Sequence, residues 1–140
     1  MKQFISTTVL LLSSVVFSFS QDLPTGQAGK KVTGPEFKFA DTKHNFGMVP
    51  EGELVHMEYK FSNTGTEPIF ITEVKVTCGC TVVDFPKTPI KPGEKGIIKI
   101  NFDTNGKYDR QDRTVDVISN AIGSPHQIRF KGVVLKKKGQ

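Results

Sequence analysis

The segment Leu54 to Ser62, LVHMEYKFS, alternates apolar and polar residues from Val55 onward. Successive side chains of an extended strand point to opposite sides. Val55, Met57, Tyr59 and Phe61 therefore share one face, and His56, Glu58, Lys60 and Ser62 share the other. The same period returns at Ile97 to Phe102, where Ile98, Ile100 and Phe102 fall together. It returns again at Thr114 to Asn120, through Val115 and Val117, and at Gln127 to Leu135, through Ile128, Phe130 and Val134. No stretch after the first twenty residues carries the 3.6-residue period of an amphipathic helix. Turn signals separate the apolar segments: Asn63-Thr64-Gly65, the prolines Pro86, Pro89 and Pro92 with Gly93, and the polar run from Asp103 to Asp112. About seven short strands spaced this way predict an all-β sandwich or barrel of antiparallel sheets, each burying one face. The predicted core is Met57, Tyr59, Phe61, Ile98, Ile100, Phe102, Val115, Val117, Ile128 and Phe130.

Two segments depart from simple alternation. Phe37-Lys38-Phe39 and His44-Asn45-Phe46 are brief, and Gly47 to Gly52 (GMVPEG) reads as a bend. From Ile69 to Val82 the apolar parity switches. Ile69 and Ile71 share one parity, whereas Val74, Val76, Cys78, Cys80 and Val82 share the other. A switch near Thr72 and Glu73 is what a β-bulge or a change of sheet produces.

The amino terminus reads differently. Residues 1–20 place Lys2 before an apolar run and end in Ser18-Phe19-Ser20. That is the pattern of a secretory signal peptide cut before Gln21. No cysteine follows the cut to carry a lipid. Residues 21–36 are polar, rich in Gly and Pro, and read as a flexible leader. The domain is expected over 37–136, with a basic tail at 137–140. The remaining 120 residues suit one domain, and no later segment is long and apolar enough for a transmembrane helix. The full chain has a formal net charge of +5, and removal of Lys2 leaves 18 basic and 14 acidic residues. This modest excess, with no basic segment interleaved with aromatics, argues against nucleic acid as a partner.

Several short motifs occur in order: Phe46-Gly47 before a bend, Phe61-Ser62-Asn63-Thr64-Gly65, Cys78-Gly79-Cys80-Thr81, Pro92-Gly93-Glu94, and Gly132-Val133 in the closing strand. In this the chain resembles the bacterial domain-of-unknown-function 1573 family, common in secreted proteins of the Bacteroidetes. The likeness runs from about Phe37 to Leu135. It implies an immunoglobulin-like antiparallel β-sandwich and carries over no catalytic residue.

Cys78 and Cys80 are the chain's two cysteines. In a regular strand their Cα atoms would lie about 6.5 Å apart, near the upper limit for a disulfide, and Gly79 permits a closer approach. Four readings follow: a local disulfide, two buried thiols acting as small hydrophobes, a soft-metal site taking Cu(I), or a redox-active or intermolecular pair. Zinc needs more ligands than the pair supplies, leaving His44, His56 and His126 as the available histidines. Met57 lies on an apolar face and reads as core, and Met48 is a further soft side chain. Enzyme signatures are missing: there is no H-E-x-x-H, no phosphate-cradling glycine loop and no G-x-S-x-G turn. Asp103, Asp109, Asp112 and Asp116 read as a solvated cluster. No cofactor is implied.

The sequence therefore predicts an exported, non-enzymatic, immunoglobulin-like module, periplasmic or extracellular, that binds another protein or supports an envelope assembly. An added edge strand is one route for the partner. The expected contact loop is Asp103 to Asp112, with Asn105, Tyr108 and Arg110. The alternative is a periplasmic thiol or Cu(I)-handling protein built on Cys78 and Cys80. A carbohydrate-binding role is weakened by the absence of tryptophan.

Overall fold

The computed structural model describes residues 33–137. The expected signal peptide, most of the leader and most of the basic tail lie outside these residues. The described chain is all β. Its eight strands are β1 (Phe37–Phe39), β2 (Lys43–Pro50), β3 (Leu54–Asn63), β4 (Ile71–Val76), β5 (Thr81–Asp84), β6 (Lys95–Asp103), β7 (Asp109–Ser119) and β8 (His126–Leu135). They form two four-stranded sheets, ordered β1-β3-β6-β5 and β2-β8-β7-β4.

The period-two pattern places the core. Every predicted core residue is buried, and Ile98, Ile100, Phe102, Val117, Ile128 and Phe130 have no exposure at all. Phe102 of one sheet meets Phe130 of the other with ring centroids 5.2 Å apart. Phe46 closes over both, at 6.0 Å from Phe102 and 6.4 Å from Phe130. The Phe46 ring lies where a side chain at Gly132 would stand, since a Cβ there would meet the ring at 2.2 Å. Tyr59 is buried with its hydroxyl donating to the Arg129 carbonyl at 2.9 Å, tying β3 to β8 across the core. Burial pushes that phenol well above its ordinary pKa, so it stays a neutral donor.

The Phe-x-Asn-Thr-Gly segment is a structural knot. Asn63 is 1% exposed. Its amide donates to the carbonyls of Glu67 and Ile90, at 2.7 and 2.9 Å, and its Oδ1 accepts from Gly65 N–H at 3.0 Å. Its backbone also pairs with Glu94 and Gly93. One side chain thus ties the end of β3 to the loop before β6. Gly65 has no room for a side chain, because a Cβ would stand 2.0 Å from the Gly34 carbonyl.

Several expectations are corrected. The apolar segment from Ile69 to Val82 holds two strands in different sheets, which raises the count from about seven to eight. The parity switch is a bulge between Ile71 and Glu73, and the change of sheet falls later, at the cysteines. The sheets are not purely antiparallel, because β2 runs parallel to β8. Phe37-Lys38-Phe39 and His44-Asn45-Phe46 fall in different sheets: β1 pairs with β3, and the chain then crosses to pair β2 with β8. The bend expected at Gly47 to Gly52 begins later. Gly47 takes a φ of 75° at a register shift, yet the strand continues to Pro50. Finally, residues 33–36, assigned to the leader, are held by the domain. Thr66 N–H donates to the Gly34 carbonyl at 2.8 Å, and Ile122 N–H to the Pro35 carbonyl at 2.9 Å.

Replacing Phe102 by Ala should cost about 3–5 kcal/mol in urea unfolding, as expected for a fully enclosed ring. Asn63→Ala should cost about 2–4 kcal/mol, because it strands two carbonyls and an N–H at once. A cost below about 1 kcal/mol at either site would contradict the assignment of that side chain.

Candidate binding site

The outer face of the β2-β8-β7 sheet gathers cations from three strands. Register places Lys43 opposite Arg129, Asn45 opposite Lys131, and Met48 opposite Val133. On the other side of β8, Asp112 stands opposite Lys131 and Arg110 opposite Val133. Ile128, Phe130 and Val134 point inward, so Arg129, Lys131 and Val133 point out. Two adjoining cavities result, of about 130 and 210 Å³. Lys43, His44, Asp112 and Arg129 line the first, Asn45, Gly132 and Val133 line the second, and Arg110 and Lys131 line both.

The charges do not cancel. Arg129 grips Asp112 with two parallel bonds, Nε to Oδ1 at 2.6 Å and Nη2 to Oδ2 at 2.5 Å. That fork holds the Asp112 carboxyl below the usual carboxylate range, with Arg110 and Lys131 adding to the effect. Among the described residues, the salt bridges are this pair and Lys75–Glu73. Lys43, Arg110 and Lys131 are in no salt bridge among the described residues, so the cations outnumber the Asp112 carboxylate in that cavity. Beyond the cations the face turns apolar. Met48 is 73% exposed and Leu135 48%, with half-buried Val133 between them. Tyr108, 66% exposed, stands at the same end, just before β7.

The predicted loop is shorter than expected. The turn between β6 and β7 is only residues 104–108, and Arg110 belongs to β7. Asn105 is exposed, with its N–H donating to Asp103 Oδ1 at 2.9 Å. Buried Thr104 anchors the turn through its hydroxyl, which donates to the Glu53 carbonyl at 2.7 Å. The structure thus places Arg110 with Lys43, Arg129 and Lys131, and leaves Asn105 out of that group. Sequence reading missed these three cations because each is an ordinary polar position in its own strand.

Cys78 and Cys80 occupy the passage from β4 to β5, where the chain changes sheet. Their sulfurs are at bonding distance, with Cα atoms 5.3 Å apart. Thr81 N–H donates to the Cys78 carbonyl at 3.3 Å, and Asp103 N–H to the Cys80 carbonyl at 2.9 Å. Both cysteines are half-buried at the rim of the core. Val82, expected on their face, is 64% exposed, because parity does not carry through a turn. His44 faces Tyr59, with centroids 6.3 Å apart. His56 lies on the opposite outer face, bonded to Asn101 Oδ1 at 2.7 Å. His126 packs against Phe37 at 5.0 Å, and its desolvation lowers its pKa. Among the described residues, no group of three or more His, Cys, Asp or Glu side chains is placed to hold a metal ion. No helix among them is long and apolar enough to cross a membrane.

Residues 37–134 match the family model described as "Protein of unknown function (DUF1573)". No curated protein matches. Among solved structures, the chain is similar to a protein of unknown function from Porphyromonas gingivalis W83, with a TM-score of 0.61 and 19% identity over 73% of this chain. It spans 47% of that protein's length. It is also similar to PapD-like domain 7 of human CEP192, with a TM-score of 0.59 and 11% identity over 74% of this chain and 87% of that one. A third likeness is to the VesB protease of Vibrio cholerae, with a TM-score of 0.56 and 15% identity. That match covers 71% of this chain but only 31% of the protease. These likenesses establish the sandwich fold.

A bond spanning one residue closes too small a loop to constrain the unfolded chain much. Replacing both cysteines by Ala should lower stability by about 1–2 kcal/mol, mainly through lost packing at the core rim. A loss above about 4 kcal/mol in denaturant unfolding would show that the link carries more of the fold than its loop length allows.

Proposed function

We propose, on the premise that the chain belongs to the DUF1573 family, that it is an exported, non-enzymatic immunoglobulin-like module that binds an acidic protein partner. The observation that carries this reading is the outer face of β2-β8-β7. There Lys43, Arg110 and Lys131, in no salt bridge among the described residues, lie beside exposed Met48, Leu135 and Tyr108. An interface of this kind supplies apolar anchoring at one end and electrostatic steering at the other. Arginine and tyrosine are also the side chains most often found at energetic centres of protein interfaces.

Strand addition is the weaker route to the same partner. β1 and β5 are only three and four residues long. β4 is bulged and carries Glu73 and Lys75, and β2 is bulged at Gly47 and ends on Pro50. Short strands, charges, bulges and proline all blunt an edge against pairing. The face is the better docking surface. The thiol or Cu(I) alternative rests on Cys78 and Cys80, which belong to no group of three or more His, Cys, Asp or Glu side chains among the described residues.

The test compares wild type with the Arg110→Glu/Lys131→Glu double variant as bait for the same native envelope extract. The expected result is a protein retained by wild type, released by high salt, and retained about tenfold less by the variant. Both substitutions are on an exposed face, so the melting temperature should be unchanged. Equal retention by the two baits would contradict the assignment of this face.

A further inference from the structure

We infer that the opposite sheet carries a second, separate site, for a phosphate monoester with an apolar body. A cavity of about 450 Å³ lies at the β1 end of the β1-β3-β6-β5 sheet. Its origin is visible in the register. Lys38 stands opposite Ser62 on β3, and Ser62 stands opposite Lys95 on β6. A small side chain between two long ones leaves a hollow. Lys60, two residues before Ser62, and Thr64, two residues after it, border the same hollow, and Phe39, Ala40 and Phe61 supply apolar lining.

The charge balance defines the ligand. Lys38, Lys60 and Lys95 come from three different strands, and none is in a salt bridge among the described residues. A neighbouring acid, Glu36, accepts a hydrogen bond from the Thr64 hydroxyl at 2.6 Å. No carboxylate is among the residues lining the hollow, so its three ammonium groups suit a doubly charged anion such as a phosphate monoester above its second pKa of about 6. Lysine acts on phosphate as a compact, mobile point charge, whereas the forked pairing that favours arginine is absent here. The cavity is of the size that holds small organic ligands and far exceeds what one tetrahedral anion fills. The remaining lining is Phe39, Ala40 and the aliphatic stems of the lysines, which suit an apolar body attached to the phosphate. Such a group is found on soluble phosphate esters and on lipid headgroups alike.

The experiment is a titration of the full chain with phenyl phosphate, followed by the amide signals of Ala40, Ser62 and Thr64. Saturable shifts at these amides are expected, with affinity reduced about tenfold or more in the Lys60→Gln/Lys95→Gln variant and clearly weaker for inorganic phosphate. Phenylacetate, which has the ring but a single negative charge, should also bind more weakly. The Arg110→Glu/Lys131→Glu variant should bind phenyl phosphate as wild type does, which separates this site from the protein-binding face. A co-sedimentation arm with phosphatidic acid vesicles against phosphatidylcholine vesicles distinguishes the lipid source from the soluble one. Absence of saturable shifts would overturn the inference. So would equal affinity in the lysine variant, or inorganic phosphate binding as tightly as the phenyl ester.

Discussion

Everything on the surface of this molecule depends on the aromatic contact between its two sheets. Phe102 and Phe130 are fully buried against each other, and Phe46 closes over them because Gly132 leaves room for its ring. That contact fixes which parity of β6 and β8 faces inward. Since the period of a strand is two, it fixes the outward parity as well. Arg129, Lys131 and Val133 are outside because Ile128, Phe130 and Val134 are inside. Lys60 and Ser62 are outside because Tyr59 and Phe61 are inside. The binding surfaces proposed above are thus consequences of core packing.

The extent to which the sequence could be read follows from the same physics. Alternation is a local property, so the inward residues of β3, β6, β7 and β8 were legible one strand at a time. Partners across strands were not. Lys43, Arg129 and Lys131 are each an unremarkable polar position, and only strand order makes them neighbours of Arg110. The hollow between Lys38 and Lys95 likewise needs β1, β3 and β6 side by side. The parallel pairing of β2 with β8 was also hidden, because the crossing from β1 in one sheet to β2 in the other leaves no mark on periodicity.

The cysteine segment shows where parity reasoning stops. Val74, Val76, Cys78, Cys80 and Val82 have one parity in the sequence, but a shared face requires an unbroken strand. The chain instead turns at Cys78–Cys80 and enters the other sheet, so that Val82 is exposed. The motif Cys-Gly-Cys-Thr marks a crossover whose carbonyls are taken by Thr81 and Asp103 N–H groups. The Phe-x-Asn-Thr-Gly motif has a similar role at β3, where Asn63 satisfies two loop carbonyls and Gly65 admits the chain entering β1. Both motifs are accounted for by architecture. The residues proposed to bind lie outside them, apart from Phe61, Ser62 and Thr64, which border the hollow.

The most direct test of the account is amide hydrogen exchange of the full chain with and without its native envelope fraction. Partner docking on the basic and apolar face predicts new protection concentrated in residues 43–50 of β2 and 129–135 of β8. Protection confined to β4 and β5, or none anywhere, would contradict it.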